Sequence, residues 1–256
     1  MIGIFDSGIG GLTVVREILR HVPDAAFVYL GDTARTPYGN KSSEVIRRYA
    51  LEDAAFLVAQ GATSIVIACN SASATAVEAI RDAYPDLPVY DVITPAVQDA
   101  LALAPESIAV IGTRATIGSN VYQHLLDGWT PAIRVHAYAC PLFVPLVEEG
   151  WLGGPIVDRV IASYLDTPRT QGVDTVILGC THYPLLKQSI RDFMGESVRL
   201  IDSAESMVKR LVADARLQPG DQRYFFSDVS GHTTDIATKW LERDIDPKLA
   251  VLGPSV

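Results

Sequence analysis

The sequence predicts an α/β protein of two related lobes, each a mostly parallel sheet flanked by helices, with the functional site in the cleft between them. Three observations lead there. Short β-rich runs alternate with segments of helical periodicity. Those runs are nearly continuously apolar instead of alternating, as expected where helices cover both faces of a parallel sheet. Finally, "QGATSIVIACN" from Gln60 aligns without a gap with "QGVDTVILGCT" from Gln171, each giving Gln-Gly, a strand, a small residue and a cysteine.

In chain order the expected strands are "IGIF", "FVYLGD", "SIVIAC", "PVYDVI", "SIAVIG", "RVHAYA", "TVILGC" and "VRLID", beginning at Ile2, Phe27, Ser64, Pro88, Ser107, Arg134, Thr175 and Val198. Each is a short run rich in branched and aromatic residues, the composition that fits a pleated, buried surface. Helical patterns follow both repeated strands, "SASATAVEAIRDA" after Asn70 and "THYPLLKQSIRDF" after Cys180. Two looser pairs extend the repeat: "VITPA" from Val92 with "LIDSA" from Leu200, and "IGIFDSG" from Ile2 with "AVIGTRA" from Ala109. No flexible linker separates the halves, so the crossovers are expected near residues 92–95 and 202–206, with the C-terminal segment returning to the first half. The first lobe is then 1–93 plus 204–256, carrying Cys69, and the second is 94–203, carrying Cys180.

A chain of 256 residues, 48% of them hydrophobic, has enough apolar surface for a full core and is not disordered. A formal charge of -9 argues against nucleic acid or an anionic membrane as the main partner, but leaves open a small anionic ligand held by local groups. The N-terminus enters "IGIFDSGIGG" without a basic segment or a long apolar one, and the longest uncharged stretch, 61–77, is full of Ser, Thr and Asn. A cytoplasmic protein with no membrane span is expected. Three cysteines without CxxC spacing fit neither a disulfide framework nor a zinc site, so no metal is expected and the thiols are free for chemistry.

Cys69 and Cys180 each sit between a strand and a helix. A helix N-terminus offers free N–H groups and a partial positive charge, which stabilise a thiolate and bind carboxylates. A single cysteine in such a run is usually inert core, and Cys140 in "YACPLF", with no repeat partner, is read as core or as support for the site. Two at equivalent strand ends beside polar residues point to acid–base chemistry, with the thiols expected to titrate closer to neutrality than a free one. His182, two residues past Cys180, suits proton exchange or orientation of that thiol, or else packs or caps a helix. Pro184 fits a first helical turn. Asp6 and Ser7 follow the first strand and precede glycines that permit close approach of a ligand; "GIGG" is neither a Walker loop nor a full GxGxxG, and Asp6 has an N-cap as its bland alternative. "GDTARTPYGNKS" places Pro37, Tyr38, Gly39 and Asn40 in a turn or a loop over a site. "GTRATIGS" puts Thr113, Arg114, Thr116 and Ser119 at another strand end, as a cap or an anion nest. Glu148 in "CPLFVPLVEEGW" reads as a solvated helix face or a functional carboxylate.

Together, "GIFDSGIGGLTV", "GDTARTPYG", "ACNSASA", "GTRATI", "CPLFVPLVEEG" and "GCTHYPLL" resemble the glutamate racemases of the aspartate/glutamate racemase family, from Ile2 to about Ser203. The resemblance implies a cofactor-independent enzyme that interconverts L- and D-glutamate for peptidoglycan synthesis. It places the catalytic thiols on Cys69 and Cys180, with helpers on Asp6, His182 and Glu148. Substrate contacts then fall on Asp6, Ser7, Pro37, Tyr38, Gly39, Asn70, Ser71, Thr113, Thr116, Thr181 and His182. A homodimer is expected. Two positions depart from the family pattern: Ser71 replaces a usual Thr and keeps the hydroxyl, and Asp91 stands where Gly is expected, which questions the local strand geometry.

Racemisation removes a proton from one face of the α-carbon and returns one to the other, so two bases must flank one planar state. One cysteine is thiolate while the other is thiol, and turnover swaps them, so their protonation belongs to the pair. No lysine lies at a strand end of this pattern, so no pyridoxal phosphate is expected, and preorganised hydroxyl and N–H donors must stabilise the carbanion-like state. The alternatives are racemisation of aspartate or another small acid on the same site, a non-catalytic amino-acid sensor, and a dithiol redox protein.

Overall fold

The structure, a computed structural model, describes residues 1–129 and 133–253. Two sheets organise it. The first has the order β10-β9-β2-β1-β3-β4, with β1 (Ile2–Asp6), β2 (Phe27–Gly31), β3 (Ser64–Ile67), β4 (Val89–Asp91), β9 (Gln222–Phe226) and β10 (Pro247–Leu249). The second has the order β6-β5-β7-β8, with β5 (Ser107–Gly112), β6 (Arg134–Ala139), β7 (Thr175–Gly179) and β8 (Arg199–Asp202). Every strand pairing within the two sheets is parallel. Helices cover both: α1 (Leu12–His21), α2 (Ser43–Ala59), α3 (Asn70–Ala83), α4 (Ile93–Ala102), α5 (Arg114–Gly118), α6 (Val121–Trp129), α7 (Phe143–Glu148), α8 (Pro155–Thr170), α9 (Lys187–Met194), α10 (Ser203–Ala213) and α11 (Gly231–Leu241).

All eight expected strands form. β1, β2, β3, β5 and β7 are buried along their whole length, as their continuous apolar runs require, whereas β6 lies at the margin of its sheet and is half-exposed. The repeat is visible as topology: β2-β1-β3-β4 and β6-β5-β7-β8 are the same strand order read twice. Register refines the alignment. Ile2 pairs with Ser64 in the first sheet and Ile108 with Thr175 in the second. Ser64 and Thr175 are repeat equivalents, so Ile2 corresponds to Ile108, Asp6 to Gly112 and Ser7 to Thr113. The pairing of "IGIFDSG" with "AVIGTRA" expected from sequence is therefore one residue out of step. The loose match of "VITPA" to "LIDSA" is also displaced, because the equivalent residues are Asp91 and Asp202, which stand as far apart as Gln60 and Gln171.

Those two aspartates end the strands where the chain passes between sheets. Asp91 Oδ1 accepts the backbone N–H groups of Ile93 at 3.0 Å and Thr94 at 2.8 Å, and Oδ2 accepts the Thr94 hydroxyl at 2.9 Å. Asp202 Oδ1 does the same for Ala204 at 2.9 Å and Glu205 at 3.4 Å. Each carboxylate satisfies donors that a helix start leaves open. The unexpected Asp91 thus leaves β4 paired with β3 and caps the first turn of α4. The two capped helices, α4 and α10, pack together, tied by hydrogen bonds from Ser206 Oγ at 2.8 Å and Lys209 Nζ at 3.0 Å to Asp99. β9 and β10 return the C-terminal segment to the first sheet beside β2. One apolar cluster then runs from Ile4 and Leu12 through Ile111 and Phe143 to Tyr183, joining the two sheets.

Candidate active site

The carboxyl ends of β1, β3, β5 and β7 face a common space, the usual position of ligands in open parallel sheets. Cys69 is the N-cap of α3 and 4% exposed. Its thiol donates to Ser7 Oγ at 3.4 Å, and the Ala72 backbone N–H is directed at the sulfur. Cys180, 6% exposed, follows β7 and leads into a 3-10 turn, Tyr183–Leu186, that continues as α9. The single helix expected there is therefore two pieces, with Pro184 in the first. His182 Nδ1 lies 3.9 Å from Cys180 Sγ, and Nε2 lies 3.0 Å from Glu148 Oε1 at the end of α7. Glu148 is therefore the outer member of a carboxylate–imidazole–thiol line. On its other side the imidazole meets Trp240 of α11 edge to face, with ring centroids 5.6 Å apart.

Asp6 is fully buried beneath this space. Its Oδ2 accepts the Gly8 N–H at 3.0 Å and its Oδ1 the Thr181 hydroxyl at 3.4 Å. It caps no helix; its partners are the glycine turn and the residue after Cys180. Gly10 is where that turn closes on the other half of the site, since a methyl group built there would sit 2.6 Å from His182 Cε1.

The two thiols stand in different fields. Burial, followed by the charge of Asp6, pushes the Cys69 thiol up to about 12; the Ser7 hydroxyl and the Ala72 N–H offset this only in part. The expectation of a thiol lowered toward neutrality fails at Cys69, because a buried sulfur beside a carboxylate and without a cation favours its neutral form. For His182 burial pulls the other way, yet the hydrogen bonds and charges of Cys180 and Glu148 outweigh it and raise the imidazole to about 10. His182 is accordingly held toward its charged form, with Nδ1 directed at the Cys180 sulfur. Burial also raises Asp6, against the His182 charge and the N–H groups of Gly11 and Gly8. Cys140 does not join them: it is fully buried, its thiol directed at the Tyr138 carbonyl at 3.7 Å and its own carbonyl accepting Tyr183 OH at 2.8 Å.

Hydroxyls from both sheets line the space. Ser71 Oγ, Thr113 Oγ1 and Thr116 Oγ1 form a triangle with sides of 2.9, 3.3 and 3.1 Å. Thr113 also caps α5 through the Thr116 N–H, so the "GTRATIGS" segment includes the helix cap that was expected. Arg114 reaches outward to Asn40 Oδ1 at 3.5 Å, and Ser119 turns back to the Thr116 carbonyl. Asn70 is held on both sides, accepting Tyr122 OH at 2.8 Å and donating to Ser203 Oγ at 3.3 Å. Pro37 and Gly39 border, with Thr113 and Glu148, a cavity of about 500 Å³. A Cβ on Gly39 would meet Thr113 Cβ at 2.6 Å, so the turn lies directly against α5. Tyr38 differs from the expectation: its fully buried ring points away, with its hydroxyl between Asp32 and Asp53, leaving only its backbone on the side of the cleft. A larger cavity, about 630 Å³, lies between α3, α4 and α6, and neither cavity is lined by Cys69 or Cys180. Tyr122, Ser203 and Trp240 were not legible as site residues, because each reaches the site by long-range packing and has no motif around it.

Two buried thiols at equivalent strand ends, with different acid–base partners and hydroxyls around them, are the kind of arrangement that an isomerase moving a proton at carbon calls for. The family model for Asp/Glu/hydantoin racemases matches residues 3–211, and the chain belongs to that family. Within it the likeness runs to glutamate racemases. The enzyme of that name from Geobacter metallireducens is 45% identical over 250 residues, which cover 94% of this chain and 92% of the relative. A glutamate racemase isoform of Bacillus anthracis superposes with a TM-score of 0.93 at 35% identity, covering 98% of this chain and 97% of that one. The glutamate racemase of Francisella tularensis, solved in complex with D-glutamate, does so with a TM-score of 0.90 at 36% identity, covering 98% and 96%.

Proposed function

We propose that this racemase interconverts L- and D-glutamate without a cofactor, Cys69 and Cys180 being the two bases on opposite faces of the α-carbon. The observation that supports this best is the pair of buried sulfurs at equivalent ends of β3 and β7, each with its own polar partner. In one direction Cys180, with the His182 imidazole at its sulfur, takes the α-proton while the Cys69 thiol delivers one to the other face. In the reverse direction Cys69 is the base, and Asp6 is the carboxylate whose charge acts on it. Glu148 orients His182 through Nε2. The α-carboxylate lies toward the Ser7, Asn70, Ser71 and Thr181 donors at the α3 and β7 ends, where water exclusion strengthens each bond. Thr113, Thr116 and the Pro37–Gly39 turn complete the pocket wall.

The preference for glutamate over aspartate rests on the names of the relatives at about 45% identity. On the same reading the protein supplies D-glutamate for peptidoglycan, works in the cytoplasm as a homodimer, and divides into lobes 1–93 plus 204–256 and 94–203. Among the described residues no helix is long and apolar enough to cross a membrane. The test is incubation of each glutamate enantiomer in D2O without added cofactor, followed by circular dichroism and mass spectrometry. The product enantiomer should carry deuterium at the α-carbon in both directions. Unlabelled product, or turnover of aspartate and not glutamate, overturns the reading.

A further inference from the structure

Behind the Pro37–Gly39 turn lies a buried ionic cluster with no part in the chemistry above. Arg35 stands at its centre. Its Nε donates to Asp32 Oδ2 at 2.7 Å, its Nη2 to Asp53 Oδ1 at 2.9 Å, and its Nη1 to Glu52. Asp32 follows β2, Arg35 lies in the next short turn, Glu52 and Asp53 come from α2, and Arg35 also covers the Tyr49 ring at 4.1 Å. Asp32 and Asp53 are fully buried. Three carboxylates share one guanidinium, an arrangement that favours protonation of one of them.

Hydrogen counting identifies which. Tyr38 OH lies against Asp32 Oδ2 and also 2.9 Å from Asp53 Oδ2, but a hydroxyl has only one hydrogen to give. Asp32 already accepts from Arg35 and from Ser227 Oγ at 2.7 Å, so it is the better-satisfied anion and the natural acceptor of the tyrosine proton. The remaining contact is a hydrogen bond only if Asp53 Oδ2 carries a proton of its own and donates it to the tyrosine oxygen.

We propose that Asp53 is a neutral carboxylic acid in the folded protein, and that the chain Asp53–Tyr38–Asp32 locks the Pro37–Gly39 turn against Thr113 at the mouth of the site. Asp53 is thus a positioning residue. Its carboxyl is raised well above the usual range, first by burial and then by the charge of Asp32, with Glu52 adding and Arg35 and the Tyr38 hydroxyl opposing. The positioning half of the inference rests on the proposed glutamate reading; the protonation half does not.

The test compares Asp53→Asn with Asp53→Ala and Tyr38→Phe. An asparagine can accept from Arg35 and donate to Tyr38, reproducing both bonds, so D53N should hold KM for glutamate within about twofold of wild type at neutral pH. D53A and Y38F break the chain and should raise KM about tenfold with kcat nearly unchanged. Two further measurements need no activity. A group with a raised folded-state pKa contributes stability that is whole below its unfolded value and is lost as pH rises toward the folded one. Wild-type folding equilibrium should therefore fall, relative to D53N, by about tenfold per pH unit above the ordinary aspartate range. D53N should also lose one carboxylic-acid C=O band from the infrared spectrum at neutral pH. A D53N variant as impaired in KM as D53A, a flat stability difference, or an unchanged infrared spectrum overturns the proposal. Absence of glutamate turnover in the wild type would refute the functional reading instead and leave the stability and infrared results to decide the protonation.

Discussion

The end of β3 and the end of β7 present a sulfur on the same scaffold, yet the two surroundings have little chemistry in common. By repeat equivalence His182 corresponds to Ser71, Thr181 to Asn70, Thr113 to Ser7 and Gly112 to Asp6. On the β7 side a thiol faces an imidazolium backed by a carboxylate. On the β3 side a thiol faces a hydroxyl, a backbone N–H and the field of a buried carboxylate. The β3 side favours the neutral thiol at Cys69, and the β7 side favours a charged imidazole beside its sulfur, so the two strand ends differ in the charge they hold. The repeated strand order puts a cysteine at each strand end, and the four differing positions give the two sulfurs different partners.

The largest test of that comparison removes the sulfurs. Cys69→Ser and Cys180→Ser should each reduce racemisation by about a thousandfold or more, because an alcohol is a far weaker acid than a thiol and neither half can substitute for the other. Retention of near wild-type rates by either variant in a circular dichroism assay would mean that one base serves both faces.

Next come the helpers. His182→Asn and Asp6→Asn should each lower kcat by about a hundredfold, within the usual range for acid–base groups. The enantiomers have equal free energy, so kcat/KM falls equally in both directions whichever side is damaged. The asymmetry is read from isotope effects instead. In H182N, proton transfer at Cys180 becomes the slower step, and the α-deuterated enantiomer that Cys180 deprotonates should show the larger effect; D6N should reverse the order. The His182 pKa also fixes a stability trend. Raised from 6.5 to about 10, it contributes stability that is whole below 6.5 and disappears as pH rises through 10, so the melting temperatures of wild type and H182N should converge across that interval.

The smallest effect is a titration. Removing the Asp6 charge should lower the Cys69 thiol from about 12, seen as earlier onset of thiolate absorbance in D6N than in wild type. An unmoved curve would leave burial alone as the cause.

The scaffold was largely legible because buried parallel strands are written as unbroken runs of Ile, Val and Leu, and all eight that were expected formed. β9 was missed because "QRYFF" begins with two polar residues, and β10 because "PKL" is three residues long and mostly exposed. The thiols, His182 and Glu148 were legible from their motifs. Electrostatics were not: a strand end signals a helix field, but whether burial overrides that field at Cys69 depends on how closely residues distant in sequence pack around it. The direction of the Tyr38 ring was not legible for a related reason, since its motif marks the turn and not where the side chain goes. Trp240 lies in a helix with no local marker, and only the return of the C-terminal segment brings it to His182.

A bare hydrogen at Gly10 sets the gauge between the halves of the molecule. Any side chain there would act as a wedge against Thr181 and the His182 ring, the two residues that follow Cys180. The close approach of the first glycine turn to the second cysteine's loop thus depends on a residue with nothing to contribute except the space it leaves empty.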